Sequence, residues 1–143
     1  MIQRYLDYLK KKSVDHILSE GLGDWYDIGP KDPGESQLTP KGVTATATWY
    51  YDLSIASQIA KLLGRSEDVN KYEQLAITVK KSFNKKFYNP VTKQYATGSQ
   101  AANAMALFMG LVEQENKKAQ KRRANTPPQS SAEMRRMQAI APS

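Results

Sequence analysis

The chain has 143 residues, of which 40% are hydrophobic and 24% are charged, and its formal net charge is +7. This length suits one small domain, and the hydrophobic fraction is enough to build a core. The absence of cysteine excludes disulfides, Cys-ligated zinc and thiol nucleophiles, and the single histidine, His16, excludes any site that needs two. No apolar run approaches the roughly 20 residues of a membrane span, and the N-terminus lacks the apolar stretch of a signal peptide.

The first part of the chain predicts one helix followed by a long irregular segment. Apolar residues recur at helical spacing over about 2–18, and Gly21 suits the left-handed residue that follows a helix. The stretch from Gly21 to Gly42 is so rich in Gly and Pro that no regular element is expected in it.

The middle of the chain predicts two further helices joined by a short link. The second helix is expected over about 44–63 and ends at Gly64, and the third begins at an N-cap on Ser66 and ends before Asn89. A link this short implies antiparallel neighbours. The third helix carries the clearest apolar stripe, formed by Tyr72, Ala76, Val79, Phe83 and Phe87.

The last predicted elements are a turn or short hairpin over 91–98 and a fourth helix capped by Ser99. The fourth helix is nearly uncharged up to Val112, so we expect it to be buried on more than one side, with an apolar stripe of Ala101, Met105, Phe108, Met109 and Val112. The predicted fold class is therefore all-α, built of antiparallel helical hairpins.

The positive charge is concentrated near the C-terminus. Residues 113–143 hold seven of the 21 Lys and Arg but only three of the 14 Asp and Glu, and they include no aromatic residue. Such a segment buries too little apolar surface to offset its ordering entropy, so we predict a low-complexity, disordered basic tail over 119–143. A basic tail can bind nucleic acid, but such surfaces normally interleave aromatic residues, so no nucleic-acid partner is expected.

The irregular segment holds the candidate functional residues, because a loop of about 20 residues is uncommon unless it is functional or disordered. Asp24, Trp25 and Asp27 follow one another closely there. An indole face can stack on a sugar ring, and carboxylates accept hydrogen bonds from hydroxyls or act as a glycosidase pair. The alternative is that Trp25 and Tyr26 anchor the loop to the core while the aspartates cap turns. The pattern alone leaves both open.

The other candidate residues are less suited to a binding or catalytic role. Trp49, Tyr50 and Tyr51 suit a core or an interface, and His16 suits a surface or capping role. The sequence contains no phosphate-binding loop, no dinucleotide fingerprint and no metal-ligand spacing, so neither a cofactor nor a metal is expected.

Several segments in a fixed order resemble bacterial α-L-rhamnosidases. The resemblance covers about 2–112 and is carried by GLGDWYDIGP at 21–30, LTPKGVTATA at 38–47, YYDL at 50–53, FNKKFYNP at 83–90, YATGSQ at 95–100 and NAMALFMGLV at 103–112. It implies a section of a six-hairpin (α/α)6 barrel over residues 1–118. It also implies a glycoside hydrolase that releases terminal α-L-rhamnose from glycans with inversion, using a carboxylic acid and a carboxylate base.

The same resemblance implies that this chain contributes to sugar binding, while the catalytic residues belong to other segments of the enzyme. It places Trp25 at the sugar site with Asp24 beside it, as substrate-binding residues. The family's general acid lies in an upstream Arg-Asp-Glu-Arg-Leu-Gly-Trp-like segment and its base in a downstream Trp-Glu segment. Neither segment occurs here, so no catalytic residue is assigned and the chain alone is expected to be inactive.

The expected partners are a rhamnose-containing glycan and the barrel hairpins that this chain does not contain. Those hairpins would cover apolar faces to which we assign Phe108, Met105 and Trp49. Members of the family are often secreted or periplasmic, and the chain itself does not indicate a compartment. Two other interpretations remain: a helical-hairpin interaction module, which would show an internal repeat that we do not find, and a small basic nucleic-acid binder.

Overall fold

Helices make up most of the part of the chain that the structure describes, as the hydrophobic spacing predicted. The computed structural model describes residues 1–25, 27, 31, 32 and 34–124, so Tyr26 and most of the predicted tail lie outside the described residues. The described elements are α1 (Ile2–Lys12), α2 (Lys41–Leu62), α3 (Ser66–Phe87), β1 (Tyr88–Asn89), β2 (Gln94–Tyr95), α4 (Gln100–Phe108), a short 3-10 turn (Gln114–Asn116) and α5 (Lys117–Ala124). The all-α fold class is confirmed, but the prediction that disorder begins at 119 is wrong, because α5 continues to Ala124 and Gln120 is fully buried.

Helices α2 and α3 form an antiparallel hairpin. At one end, Gly42 packs against the ring of Phe87, where an added Cβ would lie 2.9 Å from the Phe87 Cζ. At the other end, Ser57 donates to Glu73 at 3.2 Å and Lys61 pairs with the same carboxylate at 2.6 Å. Gly64 follows α2 with φ of 66°, which confirms that this glycine closes the helix.

The core consists of two clusters on the α2–α3 hairpin. One lies between α1, α2 and α3, where Trp49 and Leu53 are fully buried beside Tyr72 and Val79. The other joins the hairpin to β2 and α4 and includes Val43, Ala47, Phe83, Tyr95, Ala106 and Leu111. All five residues of the predicted α3 stripe are buried. The assignment of Trp49 to an open face is wrong, because its side chain is fully buried.

The first helix is shorter than predicted. It ends at Lys12, and Val14 and Ile17 exchange two backbone hydrogen bonds of 3.0 and 2.9 Å across a tight turn. Asp15 and His16 occupy the two central positions with φ of 50° and 61°, a left-handed conformation that stops the helix. Gly21 therefore does not follow a helix, although its φ of 100° is indeed left-handed.

The fourth helix begins where predicted but buries a different face. Ser99 caps it by accepting a 3.1 Å hydrogen bond from the Ala102 N–H. The buried residues of α4 are Ala102, Asn103 and Ala106, whereas Phe108 is 77% exposed. The buried face is thus displaced by about one residue from the predicted apolar stripe. The helix has apolar residues on every side, so its sequence does not indicate which side packs against the core.

Candidate functional site

The candidate site is the loop between the turn at Ile17 and the start of α2. It contains no helix or strand in its described part, and it folds back on itself where the Ser36 N–H donates to the Leu22 carbonyl at 2.8 Å. This pairing brings the segment with Asp24 and Asp27 next to residues 36–39. The two candidate carboxylates therefore lie near each other in the loop but in different surroundings.

Asp27 is surrounded by hydrogen-bond donors. Its Oδ2 accepts from the N–H groups of Leu38 at 2.7 Å, Thr39 at 3.0 Å and Gln37 at 3.1 Å and from the Ser36 hydroxyl at 3.1 Å, while Oδ1 accepts from Gln37 at 2.9 Å. Burial raises the pKa of Asp27, but these hydrogen bonds together outweigh it and hold the pKa below its ordinary value. The prediction that an aspartate caps a turn describes Asp27 well.

Asp24 has much weaker support. The one hydrogen bond shown for its carboxylate comes from the Thr39 hydroxyl at a long 3.4 Å. Burial, and then the negative charge of Asp27, raise the pKa of Asp24, and the Thr39 hydroxyl offsets this only in part. Asp24 therefore keeps most of its capacity to accept hydrogen bonds from a ligand.

Trp25 lies beside Asp24 with 60% of its side chain exposed. A tryptophan that anchored the loop to the core would be largely buried, as Trp49 is. The exposure of Trp25 leaves much of the indole surface accessible, as a stacking platform for a sugar requires.

The loop is tied to α4 through hydroxyl groups that the sequence pattern did not single out. Thr39 Oγ1 lies 2.8 Å from Ser99 Oγ, and the Thr97 hydroxyl donates to the Leu38 carbonyl at 2.8 Å. Thr39 and Ser99 are each 1% exposed. Since Ser99 can donate to Thr39, the Thr39 proton is available to Asp24. The one sequence signal for this connection was the capping role of Ser99.

The other aromatic and histidine residues considered from the sequence lie outside the loop that holds Asp24 and Asp27. His16 is half-buried in the tight turn after α1, away from the hydrogen bonds that organise Asp24 and Asp27. Tyr50 is half-buried and Tyr51 is 40% exposed, which fits the core-and-interface interpretation. Among the described residues, no group of three or more His, Asp or Glu could hold a metal ion, and no helix is long and apolar enough to cross a membrane.

Comparison with known proteins identifies the family. The model of the bacterial alpha-L-rhamnosidase six-hairpin glycosidase domain matches residues 1–135, which extends past the predicted boundary at 118. An alpha-L-rhamnosidase of Streptomyces avermitilis is 31% identical over 120 residues, covering 82% of this chain and 11% of that protein.

Solved structures show the same relationship. The alpha-L-rhamnosidase from Dictyoglumus thermophilum matches with a TM-score of 0.76 and 32% identity over 86% of this chain and 14% of that chain. The Streptomyces avermitilis alpha-L-rhamnosidase complexed with L-rhamnose matches with a TM-score of 0.73 and 28% identity, over 86% of this chain and 11% of that chain.

The chain spans only 11–14% of the length of these relatives. It belongs to the bacterial α-L-rhamnosidase six-hairpin glycosidase family and corresponds to a section of an α-L-rhamnosidase-like glycoside hydrolase.

Proposed function

We propose that Trp25 and Asp24 bind the rhamnose unit of a glycan in the full-length enzyme that contains this chain. The observation that carries the proposal is the contrast within the loop: Trp25 is 60% exposed and Asp24 has one long hydrogen bond, while Asp27 accepts hydrogen bonds from four donors of the loop. An accessible indole next to an accepting carboxylate fits the C–H face and the hydroxyls of a sugar.

We propose that the acid and base of the reaction come from other parts of that enzyme. Inverting hydrolysis needs a protonated acid and a carboxylate base about 6.5–9.5 Å apart on opposite sides of the bond. Asp27 is unsuited to the acid role because its hydrogen bonds favour the charged form. Asp24 is three residues away on the same short segment, so this pair does not supply two opposed groups.

The sugar-binding role is tested by calorimetric titration of the full-length enzyme with L-rhamnose. We expect Trp25→Ala to weaken binding by about 1–3 kcal/mol, which is the contribution of a buried aromatic contact, and Trp25→Phe to retain part of it. Tyr8→Ala is the matched control, because Tyr8 is a similarly exposed aromatic residue (51%) on α1. A folded Trp25→Ala enzyme with unchanged affinity would contradict the proposal.

We also propose that other hairpins of the same domain cover an apolar face of this chain. Tyr51 and Ile55 lie one turn apart on α2 and are 40% and 39% exposed, and the 77% exposed Phe108 has its ring centroid 6.4 Å from that of Tyr51. An exposed apolar face of this kind is typical of an interaction surface. The six-hairpin family supplies further helices as the natural occupant.

A further inference from the structure

We propose that Asp27 is the positioning residue of this sugar site: its carboxylate holds residues 36–39 against its own segment of the loop and so sets Thr39 beside Asp24. The inference rests on the proposed sugar-binding function of the loop. It assigns to Asp27 a role that acts through its neighbours and excludes direct contact with the sugar.

The first argument concerns the backbone of residues 36–39. This segment belongs to no helix or strand, so its N–H groups need partners elsewhere. The Ser36 N–H bonds to the Leu22 carbonyl, and the next three N–H groups all bond to the Asp27 carboxylate. Loss of that carboxylate would leave three of the four amides without these acceptors.

The second argument concerns Thr39, which is held from two sides. Its N–H donates to Asp27 at 3.0 Å, and its carbonyl shares the single Ser36 hydroxyl proton with the Asp27 carboxylate. Its own hydroxyl lies 2.8 Å from Ser99, which in turn caps α4. Asp27 and the start of a core helix thus fix the position of the Thr39 hydroxyl, which is the group that contacts Asp24.

The third argument concerns the number of hydrogen bonds that the Asp27 carboxylate can accept. A carboxylate offers about four lone-pair sites, and Asp27 receives five hydrogen bonds from four donors. Four of these bonds converge on Oδ2, so a sugar hydroxyl that approached this oxygen would have to displace a donor of the loop. Asp24 has no such competition, so the ligand-facing role falls to Asp24 and the supporting role to Asp27.

The test compares Asp27→Asn with Asp32→Asn in the full-length enzyme. Asp32 is an exposed aspartate in the same loop, and its side chain makes no hydrogen bond or ion pair with the described residues. The readouts are the Kd for L-rhamnose by calorimetry and the hydrogen–deuterium exchange of the peptide that contains residues 37–39. We expect Asp27→Asn to speed this exchange and to weaken binding about tenfold or more, the scale of a misplaced binding group, and Asp32→Asn to do neither.

A second variant separates positioning from loss of structure. Thr39→Val keeps the N–H that bonds to Asp27 but removes the hydroxyl that contacts Asp24. We expect weaker L-rhamnose binding with unchanged exchange of residues 37–39. On a Thr39→Val background, Asp27→Asn should add little further loss of affinity, because Asp27 acts on the site through Thr39.

The outcomes distinguish this proposal from the function on which it rests. If Trp25→Ala weakens binding while Asp27→Asn changes neither affinity nor exchange, the positioning role alone is overturned. If Trp25→Ala leaves the affinity unchanged, the sugar-binding function fails and the positioning role fails with it.

Discussion

Asn103 should be one of the most sensitive positions in the chain, and Asn103→Ala tests how the turn before α4 is held. The side chain is 1% exposed. Its Oδ1 accepts from the Tyr95 N–H at 3.0 Å, and its Nδ2 donates to the carbonyls of Gly98 at 3.1 Å and Ser99 at 3.0 Å. It therefore links β2, the turn and the cap residue that supports the candidate site.

The expected cost follows from the three hydrogen bonds. Removal of Oδ1 leaves the Tyr95 N–H, in a residue that is fully buried, without its acceptor, at about 1–3 kcal/mol. The two bonds donated by Nδ2 contribute about 0.5–1.5 kcal/mol each, and the Ser99 carbonyl keeps its bond from the Asn103 N–H. Asn103→Ala should thus lower the free energy of unfolding by about 2–6 kcal/mol.

The assay is urea unfolding of the 143-residue chain followed by far-ultraviolet circular dichroism. Asn70→Ala, at an exposed position of α3, is the matched control and should change stability little, since alanine favours the helix. A loss below about 1 kcal/mol for Asn103→Ala would refute the reasoning, because it would mean that the Tyr95 N–H finds another partner at little cost.

Asn103→Asp provides a second check with a defined pH dependence. The variant keeps an acceptor for Tyr95 but turns a carboxylate oxygen towards two carbonyl oxygens. The folded state should therefore raise the pKa of this Asp, because only the protonated form can donate to them. The variant should be most stable at acidic pH and lose stability as the pH rises through that raised pKa, a dependence that Asn103 itself lacks.

Three further predictions follow from the structure. The purified chain should release no p-nitrophenol from its α-L-rhamnoside above a heat-killed control, and turnover abolished by Asp24→Ala would overturn the assignment of the acid and base to other parts of the enzyme. Phe108→Ser removes a ring that is 77% exposed and should therefore reduce self-association of the chain, measured by light scattering. Leu111 is buried, so its replacement would not test this surface. Unchanged association of the Phe108 variant would show that the face containing Phe108 does not mediate association. In a carboxyl ¹³C titration by nuclear magnetic resonance, Asp27 should titrate at a lower pH than Asp24, and the reverse order would contradict the hydrogen-bond geometry. The stabilisation of the folded state by ionised Asp27 is present at neutral pH and is lost as the pH falls through its lowered pKa. The raised pKa of Asp24 has the opposite effect, because folding then becomes less favourable as the pH rises through it.

Local sequence signals predicted most of the helical framework. The apolar stripe of α3 has one buried face with steps of three and four residues, and all five of its members are in the core. Ser99 and Gly64 mark helix ends through their own side chain or backbone preferences, and both were assigned correctly as such. Signals of this kind depend on neighbours within one helical turn, so they can be read without knowledge of the fold.

Local signals were not enough where two conformations satisfy the same pattern. Val14, Ile17 and Leu18 fit a helical period, yet the left-handed Asp15 and His16 end the helix at Lys12. The apolar residues of α4 surround the whole helix, so only packing against the hairpin selected Ala102 and Ala106 for burial. For α4 the deciding contacts come from the hairpin, whereas after Lys12 the tight turn between Val14 and Ile17 replaces the helix.

The sequence by itself determined the helical class, the family and the pair of aspartates beside a tryptophan. Only the tertiary structure decided that Trp25 is exposed, which aspartate is committed to the protein and which is available to a ligand. Asp27 and its donors are nine to twelve residues apart, and Thr39 and Ser99 are 60 residues apart. The path of the chain through the loop and onto α4 brings these groups together, and no local periodicity or spacing encodes that path.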